Sequence, residues 1–166
     1  MGGGTELIQH IPRLRRYARA LTGDASRADD LVQDTLERAL SKLDLWRPGS
    51  DLRAWLFTLM HNLFVNQVRG AANRSMQALD TMDEIPVEGS QLTALAVWDI
   101  GKALACLPAE QREVILLVGL EQFGYAEAAR ILGVPQGTVM SRLSRGRERL
   151  RQILEGEPAT RLKVVK

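Results

Sequence analysis

Between residues 131 and 151 the sequence reads ILGVPQGTVMSRLSRGRERLR. Gln136, Thr138, Ser141, Arg142, Arg145 and Arg149 are side chains of the kinds that hydrogen-bond base edges and phosphates. A solvated basic helix carries the same residue types, so the arginines alone decide nothing. The turn before them does more. Gly133 supplies the positive φ that ends a helix, Val134 can plug the gap between two helices, and Pro135 fixes the entry to the second. Two short helices joined at such a turn form a helix-turn-helix, whose second helix enters the major groove. Val139, Leu143, Gly146, Leu150 and Ile153 repeat at 4-3-4-3 spacing and should face inward, leaving the six polar residues outside. Gly146 costs about 1 kcal/mol of helix stability relative to Ala, which the close approach of another helix would explain.

Two further sets of residues lie in the first half. Asp30, Gln33, Asp34, Glu37 and Ser41 fall on one helical face, opposite leucines. No histidine or third carboxylate is placed to make the Asp30–Asp34 pair a metal or acid–base site. The face is either solvated, the plainer reading of composition alone, or a contact for a protein, because DNA would be repelled by it. In DLRAWLFTLMHNLFVNQVRG, apolar residues (Leu52, Leu56, Phe57, Leu59, Met60, Leu63, Phe64, Val68) cover most of a helix. One stripe differs: Trp55, Thr58, Asn62, Asn66 and Arg69. An aromatic face beside amides and a cation suits unstacked bases. The wet side of a half-buried helix would look the same. His61 and His10 are expected to be packed or surface histidines without metal-ligand companions.

Helices must position these groups. Strand-like alternation is scarce, and helical runs are expected at about 5–22, 26–45 (Ser26 as N-cap, with Leu31, Val32, Leu36, Ala39, Leu40 and Leu43 buried) and 51–69 (Asp51 as cap, ending at Gly70). From Gly70 to about Ser90 the pattern dissolves into a polar, acidic stretch that reads as a flexible linker. Helices resume at about 91–106, 108–121 (Pro108 at its first position), 125–132 and 136–154. The fold class is therefore all-α: a helical domain over 1–70, a linker over 71–90 and a second helical domain over 91–166. The charge is distributed unevenly along these segments. Residues 1–70 hold 10 basic and 8 acidic side chains, residues 71–123 hold 3 and 8, and residues 124–166 hold 9 and 4. A basic last block is the footprint of a phosphate-binding module.

The single Cys106 excludes an intramolecular disulfide and a cysteine-cluster metal site, fits a reducing cytoplasm, and is expected as a small buried hydrophobe in ALACL. Gly2–Gly4 read as a flexible leader. Neither a signal peptide nor a transmembrane stretch is visible. No convincing nucleophile, metal cluster or phosphate loop supports an enzyme, so no catalytic residue, metal or cofactor is expected.

Four stretches, DDLVQDTLERAL, RPGSDLRAWLFTLMHNLFVNQVR, LPAEQREVILL and YAEAARILGVPQGTVMSRLSRGRERL, resemble the extracytoplasmic-function sigma factors of bacterial RNA polymerase in order and spacing. The resemblance covers most of residues 7–154 and turns the acidic face into a protein-contact candidate. It implies that Asp30, Gln33, Asp34 and Glu37 dock on core RNA polymerase (the β′ and β subunits being the expected partners). Arg47, Ser50, Trp55, Asn62, Asn66 and Arg69 would open and read the −10 promoter element. Asp80, Asp83, Glu84 and Glu88 would thread channels made for nucleic acid. The helix-turn-helix would read the −35 element, and an anti-sigma factor would cover these surfaces until a signal arrives. The alternative is a sigma-like decoy that sequesters an anti-sigma factor without binding promoters. Two departures stand out: Gly124 where the family usually has Ser or Thr, a weaker N-cap, and Ala128 in place of a larger aliphatic, which implies a looser pack or a bulky neighbour such as Phe123.

Overall fold

The computed structural model describes residues 2–47, 49–77 and 100–156, and the regular elements among them are helical. Helix α1 spans Gly2–Thr22 and ends at Gly23, whose φ of 72° is the left-handed turn that breaks the periodicity. Its stripe of Leu7, Leu14, Tyr17, Ala18 and Leu21 is buried. Gly2–Gly4, expected as a leader, form the first turn, where no upstream hydrogen-bond partner is needed. Pro12 lies within α1 on its exposed side, where water can reach the carbonyl freed by the missing N–H.

Helix α2 spans Ala25–Ser41. Its cap is Asp24 rather than Ser26: the Ser26 and Arg27 amides donate to Asp24 Oδ1 at 2.8 and 3.3 Å. The left-handed Gly23 delivers Asp24 directly to the helix start. The helix stops at Ser41, short of 45, and a separate 3-10 turn at Leu43–Leu45 follows. Ala28, Leu31, Val32, Thr35 and Ala39 define the buried face. Leu40 lies one helical step beyond Ala39 and is 59% exposed, contrary to expectation. Helix α3 spans Leu52–Gln77 and is capped by Asp51, whose Oδ1 accepts from the Ala54 amide at 3.2 Å. It runs through Gly70, which keeps a helical backbone, so residues 71–77 of the expected linker are helical. Asp80, Asp83, Glu84 and Glu88, and the helix start expected at about 91, lie outside the described residues.

Residues 100–105 form α4, with Ala103, Leu104 and Leu107 buried on one side. Cys106 falls on the other side and is exposed, which overturns the buried reading: the apolar run ALACL is longer than the face it serves. Pro108 immediately precedes α5 (Ala109–Ile115) instead of opening it, and α5 widens into a π-helical turn at Leu116–Leu120. Helices α6 (Tyr125–Leu132) and α7 (Gln136–Leu154) have the boundaries that the sequence implies.

The two helical groups share one core. Helix α2 packs between α1 and α3, α7 packs on α5 and α6, and α6 lies against α3. Tyr17, Phe57 and Phe123 meet edge to face across the junction, with ring centroids 5.0 and 5.3 Å apart. Arg112 donates to the carbonyls of Leu21 at 2.7 Å, Leu104 at 2.8 Å, Leu107 at 2.8 Å and Ala105 at 3.2 Å. His61 Nδ1 pairs with the buried carboxylate of Glu113.

A Cβ at Gly146 would stand 2.8 Å from Ile115 Cδ1 and 3.2 Å from Gln111 Cβ. The overlap outweighs the propensity gain, so Gly146→Ala should destabilise the chain by about 1–2 kcal/mol in urea denaturation. Adding Ile115→Val, which removes the clashing methyl, should restore most of that loss.

Candidate nucleic-acid and protein interfaces

The reading helix is held by the turn before it. Gly133 takes φ 66°, the Val134 amide donates to Ala129 O at 3.1 Å, and Val134 tucks against the core. Pro135 then starts α7 with its φ already set. Val139, Leu143 and Gly146 are buried and Leu150 and Ile153 pack partly, which fixes the rotation of α7. Gly124 gives α6 no side-chain cap, and Ala128 is fully covered in the core that also holds Phe123.

That rotation sorts the polar residues. Gln136, Ser141, Arg145 and Arg149 are exposed, as are Ser144 and Arg147, while Thr138 is half-buried. Arg142 sits on the flank facing α5: its side chain is only 20% exposed and its Nη2 lies 3.7 Å from Glu110 Oε2. Arg151 is engaged within its own helix, at 2.6 Å from Glu148 and 2.9 Å from Glu155. Those hydrogen bonds hold Glu148 below the usual carboxylate range and push Arg151 up. Among the described residues Arg145, Arg147 and Arg149 have no carboxylate partner. The block of five arginines is therefore three available cations and two committed ones. Counting arginines could not reveal this, although Glu148 and Glu155 at three- and four-residue spacing from Arg151 are a legible signal.

On α3, Asn62, Asn66 and Arg69 are exposed and spaced to lie along one face. Trp55 and Thr58 are half-buried, and the Thr58 hydroxyl is already spent on Ala54 O at 2.8 Å. Arg47 and Ser50 are exposed in the turn before α3, where the Ser50 hydroxyl donates to Arg47 O at 2.6 Å. Pro48 lies outside the described residues. The turn thus presents the Arg47 side chain, while the Ser50 hydroxyl is used to shape it.

Asp30, Gln33, Asp34 and Glu37 are all exposed on α2. Beyond Glu37 come the exposed Leu40, in the last turn of α2, and the 75%-exposed Leu45, in the 3-10 turn that follows it. An acidic strip that runs into bare leucines is the composition of a protein contact; periodicity assigns Leu40 to the core and gives Leu45 no role. His61 is used by Glu113, and burial together with Arg13 and Arg53 lowers the His10 pKa. No group of three metal-ligating side chains occurs among the described residues.

Two family models match the chain: the sigma2 domain of PhyR over residues 7–61 and sigma-70 region 4 over residues 98–150. The chain is 40% identical over 151 residues to the ECF RNA polymerase sigma factor EcfG of Rhodopseudomonas palustris, covering 90% of this chain and 83% of that one. Its fold matches the sigma factor RpoE of Bartonella quintana, solved in complex with the anti-sigma factor NepR, with a TM-score of 0.81, 39% identity and coverage of 92% and 96%. It also matches PhyR in the PhyRSL–NepR complex of Sphingomonas sp. Fr1, with a TM-score of 0.64, 27% identity and coverage of 92% and 88%.

The free and committed arginines should behave differently on duplex DNA. Arg145→Ala should lower affinity and reduce the salt dependence of binding by about one unit of slope. Arg151→Ala should leave the slope unchanged. Fluorescence anisotropy titrations at several salt concentrations read both.

Proposed function

The chain belongs to the extracytoplasmic-function sigma factors, and from that premise we propose that it docks on core RNA polymerase through α2 and reads a promoter through α3 and α7. It is a dissociable specificity subunit that directs transcription initiation at −10 and −35 elements, under the control of an anti-sigma factor. The observation that carries this is the 40% identity to a sigma factor along both helical units, with α7 held in reading geometry by the left-handed Gly133.

Each surface then has one task. Asp30, Gln33, Asp34 and Glu37, extended by Leu40 and Leu45, meet the polymerase, with the β′ subunit as first partner and β as second. Arg47, Asn62, Asn66 and Arg69 meet the opened non-template strand, with Trp55 as a half-buried stacking face and Ser50 shaping the turn. Gln136, Thr138, Ser141, Arg145 and Arg149 meet the −35 duplex, and Arg142 acts from the flank. The protein contributes selection rather than bond-making, so it is not an enzyme and needs no metal or cofactor. Its place is the cytoplasm, where polymerase and promoter are. No helix among the described residues is long and apolar enough to cross a membrane.

The two elements impose a separation. They lie on the order of 20 base pairs apart, roughly 70 Å of duplex at 3.4 Å per base pair. A compact chain of this length is only about 40 Å across. The packed arrangement therefore cannot touch both at once, and α6 must leave α3. The intervening residues 78–99 can reach at most roughly 75 Å, which is enough.

The match of residues 7–61 to the PhyR sigma2 domain favours one alternative, a decoy that binds an anti-sigma factor and no promoter. Identity of 40% and 39% to sigma factors, against 27% to PhyR, weighs against it. Run-off transcription with core polymerase and a promoter library separates the two. A promoter-dependent transcript is expected; tight anti-sigma binding without any transcript would favour the decoy. Asp34→Lys should weaken core binding on the order of tenfold and leave duplex binding by α7 intact.

A further inference from the structure

The outward side of α7 carries one large apolar side chain that takes no part in the core. Met140 is 50% exposed, while Val139 and Leu143 on the inward side are buried. A lone apolar residue on a solvated face is ordinary. Met140, however, stands on the reading side, one turn beyond Gln136 and next to Ser141.

At 3.6 residues per turn, Met140 and Arg145 lie about 140° apart around α7, with Gly137 and Ser141 on the arc between them. All four are exposed. The arc is low in the middle and tall at its edges. Gly137 has no side chain, and the Ser141 hydroxyl turns back to donate to Thr138 O at 3.1 Å. The fold does not ask for glycine at 137. Its φ is not left-handed, and a Cβ there would meet no described atom within 4 Å, whereas one at Gly146 would strike Ile115. Glycine weakens a helix, so its benefit at 137 lies outside the chain, where another surface comes close to the backbone.

A helix pressed into the major groove along that arc sets Arg145 at one edge and Met140 at the other. The N-terminal residues of a reading helix are the ones that reach base edges, and Met140 is the fifth residue of α7. The C5-methyl of thymine is the apolar group that the groove floor offers; the other edges are hydrogen-bond donors and acceptors. An unbranched thioether side chain gains by covering that methyl and loses by covering a polar edge that it cannot pair.

We propose that Met140 is a specificity-determining residue, which selects thymine at one position of the −35 element by covering its methyl group. The inference rests on the reading above, since it names the base that one residue of α7 selects. It adds an apolar contact to a surface that is otherwise polar and cationic.

The test uses the full chain assembled with core polymerase. A pool of promoter duplexes randomised across −35 is selected for binding. Each thymine of the selected −35 sequence is then replaced singly by deoxyuridine, which lacks only the methyl. In the parent, one such replacement should weaken binding on the order of fourfold, the worth of one covered methyl. Met140→Ala should bind the thymine and deoxyuridine duplexes equally, and Met140→Leu should keep the difference. Deoxyuridine that costs Met140→Ala as much as the parent, or costs the parent nothing at any position, would overturn the proposal. Loss of core affinity by Met140→Ala with the deoxyuridine effect unchanged would also overturn it, and would assign Met140 to a protein contact. Selection that yields no −35 preference at all would contradict the promoter reading and the proposal with it, so the two failures are distinguishable.

Discussion

Arg112 sits where two helices end. Helices leave their last carbonyls without partners, and burying such groups is costly unless a donor reaches them. The Arg112 guanidinium reaches Leu21 O at the end of α1, Leu104 O and Ala105 O in the last turn of α4, and Leu107 O just beyond it. Burial pulls its pKa down, with Glu113 opposing, and the cation is retained because its hydrogen bonds replace water. With α1 and α4 tied to α5 in this way, α5 carries α7 through the Gly146 contact, and the π-helical turn leads into Glu121 and Phe123, which meet α1 and α3. The Arg112 bond to Leu21 O joins the contacts of Phe123, Glu121 and Glu113 in holding one helical unit on the other.

The consequences for function follow from which surfaces that packing leaves free. The acidic strip of α2, the amide stripe of α3 and the outward side of α7 all remain open to solvent. What the packed state withholds is reach, since elements roughly two helical turns apart on DNA need both units spread along it. The junction is polar as well as aromatic, with Arg16–Glu121 and His61–Glu113 in it, which suits an interface that opens into water better than an all-apolar one.

Much of this was legible because it is local. Gly133-Val134-Pro135 specifies its turn through φ alone, and the 4-3-4-3 line from Val139 to Ile153 fixes the buried side of α7. Gly146 announced a close approach that Ile115 supplies. The asparagines of α3 and the carboxylates of α2 lie where periodicity puts them. Periodicity gave less at helix ends and flanks. Asp24 replaced Ser26 as cap because a left-handed glycine precedes it, and Gly70 was passed over because α3 keeps a helical backbone there. Leu40 and Cys106 fell outside the faces that their apolar neighbours define. Least legible were Arg112, Glu113, Glu121 and Phe123, whose partners are 52 to 105 residues away in sequence for the bonds that cross the junction. No local pattern distinguishes a buried carboxylate from a solvated one.

The central claim is that one chain reads two separated promoter elements through α3 and α7. The most direct measurement tethers an iron chelate to Asn62→Cys and, separately, to Ser144→Cys in a Cys106→Ser background, and maps cleavage of promoter DNA bound by the chain with core polymerase. The α3 probe should cut around −10 and the α7 probe around −35, roughly two helical turns apart. Cleavage from both probes within one turn, or from neither at a defined position, would contradict the account.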